Sequence, residues 1–381
     1  MSTQNGRTRV VGLADTVVGY GSPQIQRFMA SLGAHHGVRA TILEPEVKGR
    51  KSVHEHYPEL DIETIRIGRQ PYAWPPGRAE YAAKLAKRID EIKPDVLVIF
   101  CTFCLPALLR AKHRPKKVVY YAIEMVEPYG DADVWLNAHF RDRFDVIVFP
   151  EHNRAARDAI RCWLLERPSV VMLNCANSRV DPEPILPATE RNGRMISQGS
   201  IGYYTTFANY FLIHTSRSFP IDMFGPISGP DEMHDRIRKL RHNVQYKGIV
   251  DNKTLGALRR HYSWGIVTWN PGKENTLYAA SNKFFEYIAS GVPAITAPHP
   301  QHVQFVRQYG CGIVMQEWSY PSFVAAISEA MLISRSSLYA DYVGACKKAA
   351  GEELNWEAQF DKFLAVYEGR RLGPTVPLGA T

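Results

Sequence analysis

Ala280-Ser-Asn-Lys-Phe-Phe-Glu-Tyr-Ile-Ala-Ser-Gly-Val-Pro-Ala-Ile-Thr296 reads as a short helix running straight into a buried strand. Ser281 stands at the N-cap and Gly291 at the left-handed position that ends a helix. Val292 to Thr296 is apolar enough for a buried strand, with Pro293 near its start, where a missing donor does least harm. Phe284, Phe285 and Ile288 supply the apolar face. Lys283 and Glu286 are three residues apart, so they share a face. Lys283 lies in the first turn, where free backbone N–H groups and the helix dipole already favour an anion. The pattern suits a diphosphate on Lys283 and a hydroxyl pair on Glu286; a surface Lys–Glu pair on an amphipathic helix would leave the same trace.

Outward from this stretch, strands and helices alternate, as expected for parallel sheets covered on both faces. In the first half, strands are predicted over 9–13, 38–43, 95–100, 117–122, 145–149 and 169–173, and helices over 24–35, 80–92, 105–112 and 154–164. The segment 177–193, with Pro182, Pro184 and Pro187, shows no periodicity and reads as a linker. The second half repeats the grammar, with strands over 194–198, 221–224, 244–247, 263–268, 292–296 and 312–315 and helices from 321 onward. Ligands of such sheets bind beyond the carboxyl ends of the strands.

At 381 residues the chain is long enough for two domains. An apolar fraction of 45% and a charged fraction of 22% are those of a globular protein. No stretch approaches the roughly 18 to 20 apolar residues of a membrane span; the longest, 96–109, is broken by Thr102 and Pro106. The polar start Met-Ser-Thr-Gln-Asn-Gly-Arg7 lacks the core of a signal peptide, so a cytoplasmic location is expected. Six scattered cysteines make no disulfide framework, and Cys101-Thr-Phe-Cys104, without a second pair, reads as two packed thiols. The net charge of +8 is concentrated in residues 1–180, which hold 26 Lys and Arg against 20 Asp and Glu. No nucleic-acid motif accompanies it, and nucleic acid is not expected as a partner. The basic run Arg110-Ala-Lys-His-Arg-Pro-Lys-Lys117 could instead touch anionic headgroups from the inner side of a membrane.

Asn282-Lys-Phe-Phe-Glu-Tyr-Ile-Ala-Ser-Gly-Val-Pro293 resembles the donor-binding segment of family 4 glycosyltransferases and their GT-B relatives. Gln198-Gly-Ser-Ile201, Asn243-Val-Gln-Tyr-Lys-Gly-Ile-Val250 and Leu354-Asn-Trp-Glu357 resemble other pieces of that family, in its order, between about 194 and 368. The resemblance implies a GT-B α/β fold: two Rossmann-like doubly wound domains facing a cleft, with a C-terminal helix closing back toward the first. The domains would be 1–178 for the acceptor and 194–368 for the donor, joined by a linker 179–193 and followed by a flexible tail 369–381.

It also implies transfer of a sugar from a nucleotide-diphosphate sugar to an acceptor hydroxyl, with retention, in glycan, polysaccharide, glycolipid or secondary-metabolite synthesis. The acceptor would be a glycan, a lipid-linked sugar or a small molecule. No cofactor is expected, and no metal, since no Asp-x-Asp stands at a strand end of the donor half. On the donor side the resemblance points to Gly21, Ser22, Gly199, Ser200, Gly248, Ile249, Asn282, Lys283 and Glu286. Relatives carry an Arg and a Lys just beyond the equivalent of Ser200; here no cation lies between Arg194 and Arg217, which leaves Lys283 as the best-placed one. Relatives also pair two glutamates eight residues apart; Glu286 is the second, but Tyr278 occupies the first position. Asn275, Thr276 and nearby amides would then hold the sugar. On the acceptor side stand Gly19, Tyr20, Glu124 and Arg154, with Glu124 as a base for the acceptor hydroxyl or simply paired with Arg154. A nucleotide-sugar epimerase, and a non-catalytic GT-B protein binding a nucleotide or a partner enzyme, are the competing readings.

Overall fold

The computed structural model describes residues 8–69, 73–177 and 184–370. The expected linker thus falls partly, and the expected tail almost wholly, outside the described residues. The chain forms two compact units, one of residues 1–172 with 360–381 and the other of 173–359.

The first unit is built on a seven-stranded, all-parallel sheet in the order β3-β2-β1-β4-β5-β6-β7. Its strands are β1 (Val10–Leu13), β2 (Thr41–Pro45), β3 (Asp61–Ile65), β4 (Val96–Phe100), β5 (Lys117–Tyr121), β6 (Val146–Phe149) and β7 (Ser169–Val171). The central strands β1, β4 and β6 are buried throughout, the continuous apolar run that a doubly covered parallel sheet demands. Around them lie α1 (Gln24–His35), α2 (Pro75–Ile92), α3 (Ala107–Arg110), α4 (Asp131–Phe140) and α5 (His152–Arg161). Strand β3 and helix α4 were not expected. The strand sits at the sheet edge, carries Asp61 and Glu63, and buries only Ile65 of its five residues, a weak apolar signal. The helix has no side-chain cap and two Asp in its first turn.

The second unit holds a six-stranded parallel sheet in the order β12-β10-β8-β13-β14-β15. These strands are β8 (Met195–Gln198), β10 (Ile221–Phe224), β12 (Val244–Gly248), β13 (Trp264–Val267), β14 (Ala294–Thr296) and β15 (Gly312–Val314). Two residue pairs, β9 (Ile201–Gly202) and β11 (Ile227–Ser228), extend β8 and β10 into a small second sheet. The helices are α6 (Asp231–Arg238), α7 (Asn252–Arg259), α8 (Glu274–Leu277), α9 (Asn282–Ala289), α10 (Pro300–Tyr309), α11 (Tyr320–Ile333), α12 (Leu338–Glu352) and α13 (Trp356–Tyr367).

Helix α13 departs from the expected boundaries, which placed all of 194–368 in one domain. From Phe360 onward it groups with the first unit, because Phe360 and Phe363 pack edge-on against Phe28 of α1, the latter at 4.7 Å between centroids. Tyr367 adds a hydrogen bond to His36 of 2.9 Å and a cation–π contact under Lys117. Among the described residues no helix is long and apolar enough to cross a membrane.

Candidate nucleotide-sugar site

In the second unit the chemistry gathers at the carboxyl ends of β8, β12 and β13, around the first turn of α9. Ser281 occupies the N-cap position, as its place in the sequence predicts, and Gly291 follows the helix at φ +67°. The Ser281 hydroxyl, however, makes no cap bond: it is buried and unpartnered, as is Oδ1 of Asn282. Buried polar atoms are nearly always paired. Two orphans at a helix N-terminus, with the first-turn N–H groups beside them, form a place for an anion's oxygens.

Lys283 reaches across this turn. Its Nζ stands 4.3 Å from the centre of the Trp269 ring, a cation–π contact, and its stem lies over Gly199. A Cβ at Gly199 would overlap Lys283 Cε and displace that side chain, and the backbone there takes φ +93°, a conformation that favours glycine. Removal of the ammonium from water lowers the Lys283 pKa to about 8, with the Glu286 charge opposing the shift. The loop without a cation of its own is thus served by one from α9.

Glu286 shares the Lys283 face and is held from behind. Its Oε2 accepts from Gln198 Nε2 at 2.6 Å and from Arg259 Nη1 at 3.0 Å. Arg259, almost fully buried at the end of α7, also donates from Nε to Ser290 at 2.9 Å. Both hydrogen bonds of the carboxylate fall on Oε2. Behind the helix, His302 stacks on Phe284 at 4.5 Å, and burial keeps this imidazole neutral.

The remaining donor-side residues are distributed around this centre. Ser200 is exposed beyond Gly199. Gly248 ends β12 with open space where a side chain would stand, and Ile249 beside it is 69% exposed, an apolar surface without a protein partner. Asn275 and Thr276 lie in the single turn α8, where the Thr276 hydroxyl donates to the Lys273 carbonyl. The amides of 276, 277 and 278 are taken up by that turn, so Thr276 and Tyr278 offer side chains rather than the free amides expected of this loop.

In the first unit, Gly19 to Ser22 connect β1 to α1. Gly19 lies against Val53, whose amide donates to Val18, and Glu44 accepts from Val18 N at 2.7 Å and from Ser52. Gly21 faces open space; Tyr20 is exposed, with the Arg50 guanidinium over its ring at 5.1 Å. Glu124 follows β5 and pairs with Arg154 at 3.4 Å. Arg154 itself is buried and donates to the Ile123 carbonyl at 2.9 Å, so it tethers the Glu124 segment. Burial, reinforced by the Glu124 charge, raises Asp15 to about 6, and the Cys101 thiol hydrogen-bonds to it. Cys101 and Cys104 are buried free thiols with pKa values pushed well up, packed as the sequence suggests.

Sequence reasoning missed Gln198, Trp269, Arg259 and Asp15. Only Asp15 left a local trace, as an acid directly after the first strand.

No family profile and no curated protein matches the sequence, but solved structures do. WaaG, a glycosyltransferase involved in lipopolysaccharide biosynthesis, is 13% identical with a TM-score of 0.68, over 94% of this chain and 100% of its own. The fold is GT-B. HepE from Anabaena, solved with UDP and glucose, matches at 11% identity and TM-score 0.68, covering 95% of this chain and 99% of that one. The catalytic domain of starch synthase IV from Arabidopsis thaliana, bound to ADP and acarbose, matches at 10% identity and TM-score 0.71, with the same coverage. At these identities the likeness carries the GT-B architecture, while chemistry rests on the residues above.

Proposed function

We propose that this GT-B protein is a glycosyltransferase that moves a sugar from a nucleoside-diphosphate sugar to an acceptor hydroxyl. The observation that carries the reading is the Lys283 ammonium laid across Gly199, at a helix N-terminus beside two unpartnered buried polar atoms. There the diphosphate's charge, which grows as the glycosidic bond breaks, meets a fixed cation and free N–H groups; such preorganised stabilisation is commonly the largest catalytic contribution. No metal is needed for that role. Glu286 Oε1 would accept from the ribose hydroxyls, Ile249 would cover the base, and Asn275, Thr276 and Tyr278 would meet the sugar.

In the first unit, Glu124 would orient or deprotonate the acceptor hydroxyl, Gly19 and Tyr20 would bind the acceptor, and Gly21 and Ser22 would bind the donor. Arg154 acts through Glu124. Retention of configuration, and a glycan, lipid-linked or small-molecule acceptor, belong to the same reading, and Arg110 to Lys117 would supply any contact with an anionic membrane. The UDP and ADP held by HepE and starch synthase IV make a nucleotide the natural ligand to test.

The test is release of free nucleoside diphosphate across a panel of donors, run with wild type and Lys283→Ala. Release from one donor, lost in the variant while the fold melts normally, is expected. A protein that binds none of the nucleotides would refute the proposal.

A further inference from the structure

A concavity lies in the second unit, at the end of its sheet opposite the α9 site. Its walls are Arg217, Arg236, Lys239, Arg241 and His242, with Leu240 and Val244 at the base, and it is an open concavity of about 180 Å³. Val244 is the first residue of β12 and Gly248 the last, so at about 3.3 Å per residue the two ends of this strand stand about 13 Å apart. The concavity therefore belongs to the amino-terminal edge of the sheet, away from the glycine loops.

Four permanent cations and a histidine line it without any acid. The acids of α6, Asp231, Glu232 and Asp235, stay outside the lining. Among the described residues none of the four cations makes an ion pair. Like charges brought together repel and are held here by the backbone. The amide of Ile221 donates to the Asn243 carbonyl at 3.0 Å, and Asn243 Nδ2 to the Ser218 carbonyl at 3.2 Å, which fixes the turn bearing Arg217 against the loop bearing Arg241. Arg241 Nη1 donates to the Leu240 carbonyl at 2.9 Å, and Arg241 bridges Gln245 across the turn.

We propose that this concavity binds a phosphate or diphosphate group, separately from the nucleotide site. Guanidinium groups match phosphate oxygens bidentately, and three of the lining residues are arginines. The lining selects the class: four cations with no acid among them suit a compact, multiply charged phosphoanion. The anion is either free or the headgroup of a lipid.

The experiment uses the full chain carrying Lys283→Ala, which silences the other anion site. Inorganic pyrophosphate is titrated calorimetrically, and sedimentation with vesicles containing phosphatidic acid is measured alongside. Arg236→Glu with Arg241→Glu should weaken one or both by at least tenfold. Lys347→Glu with Lys348→Glu, exposed on α12 and equal in charge change, should leave them unaltered. Loss confined to the pyrophosphate arm identifies a free anion, and loss in the vesicle arm a headgroup. No binding in either arm, or equal loss in the control pair, overturns the site.

Discussion

Gly199→Ala is the sharpest perturbation this site offers, because the added methyl acts at one defined place. The ideal Cβ overlaps the Lys283 stem, which is flexible and can swing away, so the methyl is accommodated by displacing the ammonium. A further cost is backbone strain: φ at +93° costs an L residue about 1–2 kcal/mol. Gly310→Ala isolates that part, since Gly310 follows α10 at φ +72° with open space around it. Both variants should lose about 1–2 kcal/mol of stability.

Only Gly199→Ala should lose ligand. A charge-assisted contact is worth about 1.5–3 kcal/mol, so a displaced Lys283 weakens nucleoside-diphosphate binding by about 10- to 150-fold. Titration calorimetry gives the affinity and thermal melting the stability. If Gly199→Ala binds UDP or ADP as wild type does while Lys283→Ala does not, the ammonium does not act from the position seen here. Equal losses of affinity in Gly199→Ala and Gly310→Ala would refute the steric argument.

The affinity should also depend on pH. On the proposed reading the ligand binds the protonated Lys283, whose pKa in the free protein is about 8, so affinity should fall, by up to about tenfold per unit, as pH rises above that value. Lys283→Met should abolish the slope. The group's contribution to the stability of the free protein has the opposite sign: the unfolded lysine stays protonated to about 10.4, so the cost of burying the cation is relieved as pH rises from about 8 to that value. Arg259→Leu removes the partner of a partly buried carboxylate. Breaking a buried pair costs about 3–5 kcal/mol, discounted to about 2–3 because Glu286 keeps some exposure. Thermal melting should fall by about 4–12 °C, and calorimetry should show the preference for ribo- over 2′,3′-dideoxynucleotides shrinking; an unchanged preference means Arg259 does not position Glu286. Phe363→Ala, in the fully buried ring cluster with Phe28, should cost about 3–5 kcal/mol and speed amide exchange in α1 and α13, whereas loss confined to the second unit would contradict the grouping of α13.

Local signals were legible and distant ones were not. Helix α9 and its Gly291 terminus could be read because capping, periodicity and the left-handed stop all lie within a dozen residues. The alternation of buried strands gave both parallel sheets except β3, whose acids mask it at the edge. Lys283 and Glu286 could be paired by helical spacing alone. Their supports could not: Arg259 is 27 residues from Glu286, Gln198 is 88, and nothing local links Gly199 to the Lys283 stem. Ser281 shows the limit even at short range. Its position was predictable, but the unpartnered state of its hydroxyl depends on the packing around it.

That unpartnered state bears on how one lysine can serve where the resemblance leads one to expect two basic residues. An ammonium on a flexible stem ordinarily loses entropy when a ligand fixes it, up to about 2 kcal/mol for a lysine. Here Trp269 and Gly199 hold the stem before the ligand arrives, so part of that loss has already occurred on folding. The stack is weak enough to yield: a cation–π contact contributes about 0.5–2 kcal/mol, whereas a diphosphate would add two charged oxygens and would engage the Ser281 hydroxyl and the first-turn amides together. The lowered Lys283 pKa follows from the same arrangement, since a cation kept out of water is poorly solvated and the Glu286 charge offsets only part of that cost. Trp269→Ala separates the two effects. It should return the lysine toward its ordinary pKa and weaken diphosphate binding at pH 7, where both proteins carry the charge. Binding as tight as wild type at pH 7 would show that the ring contributes to the pKa and not to placement.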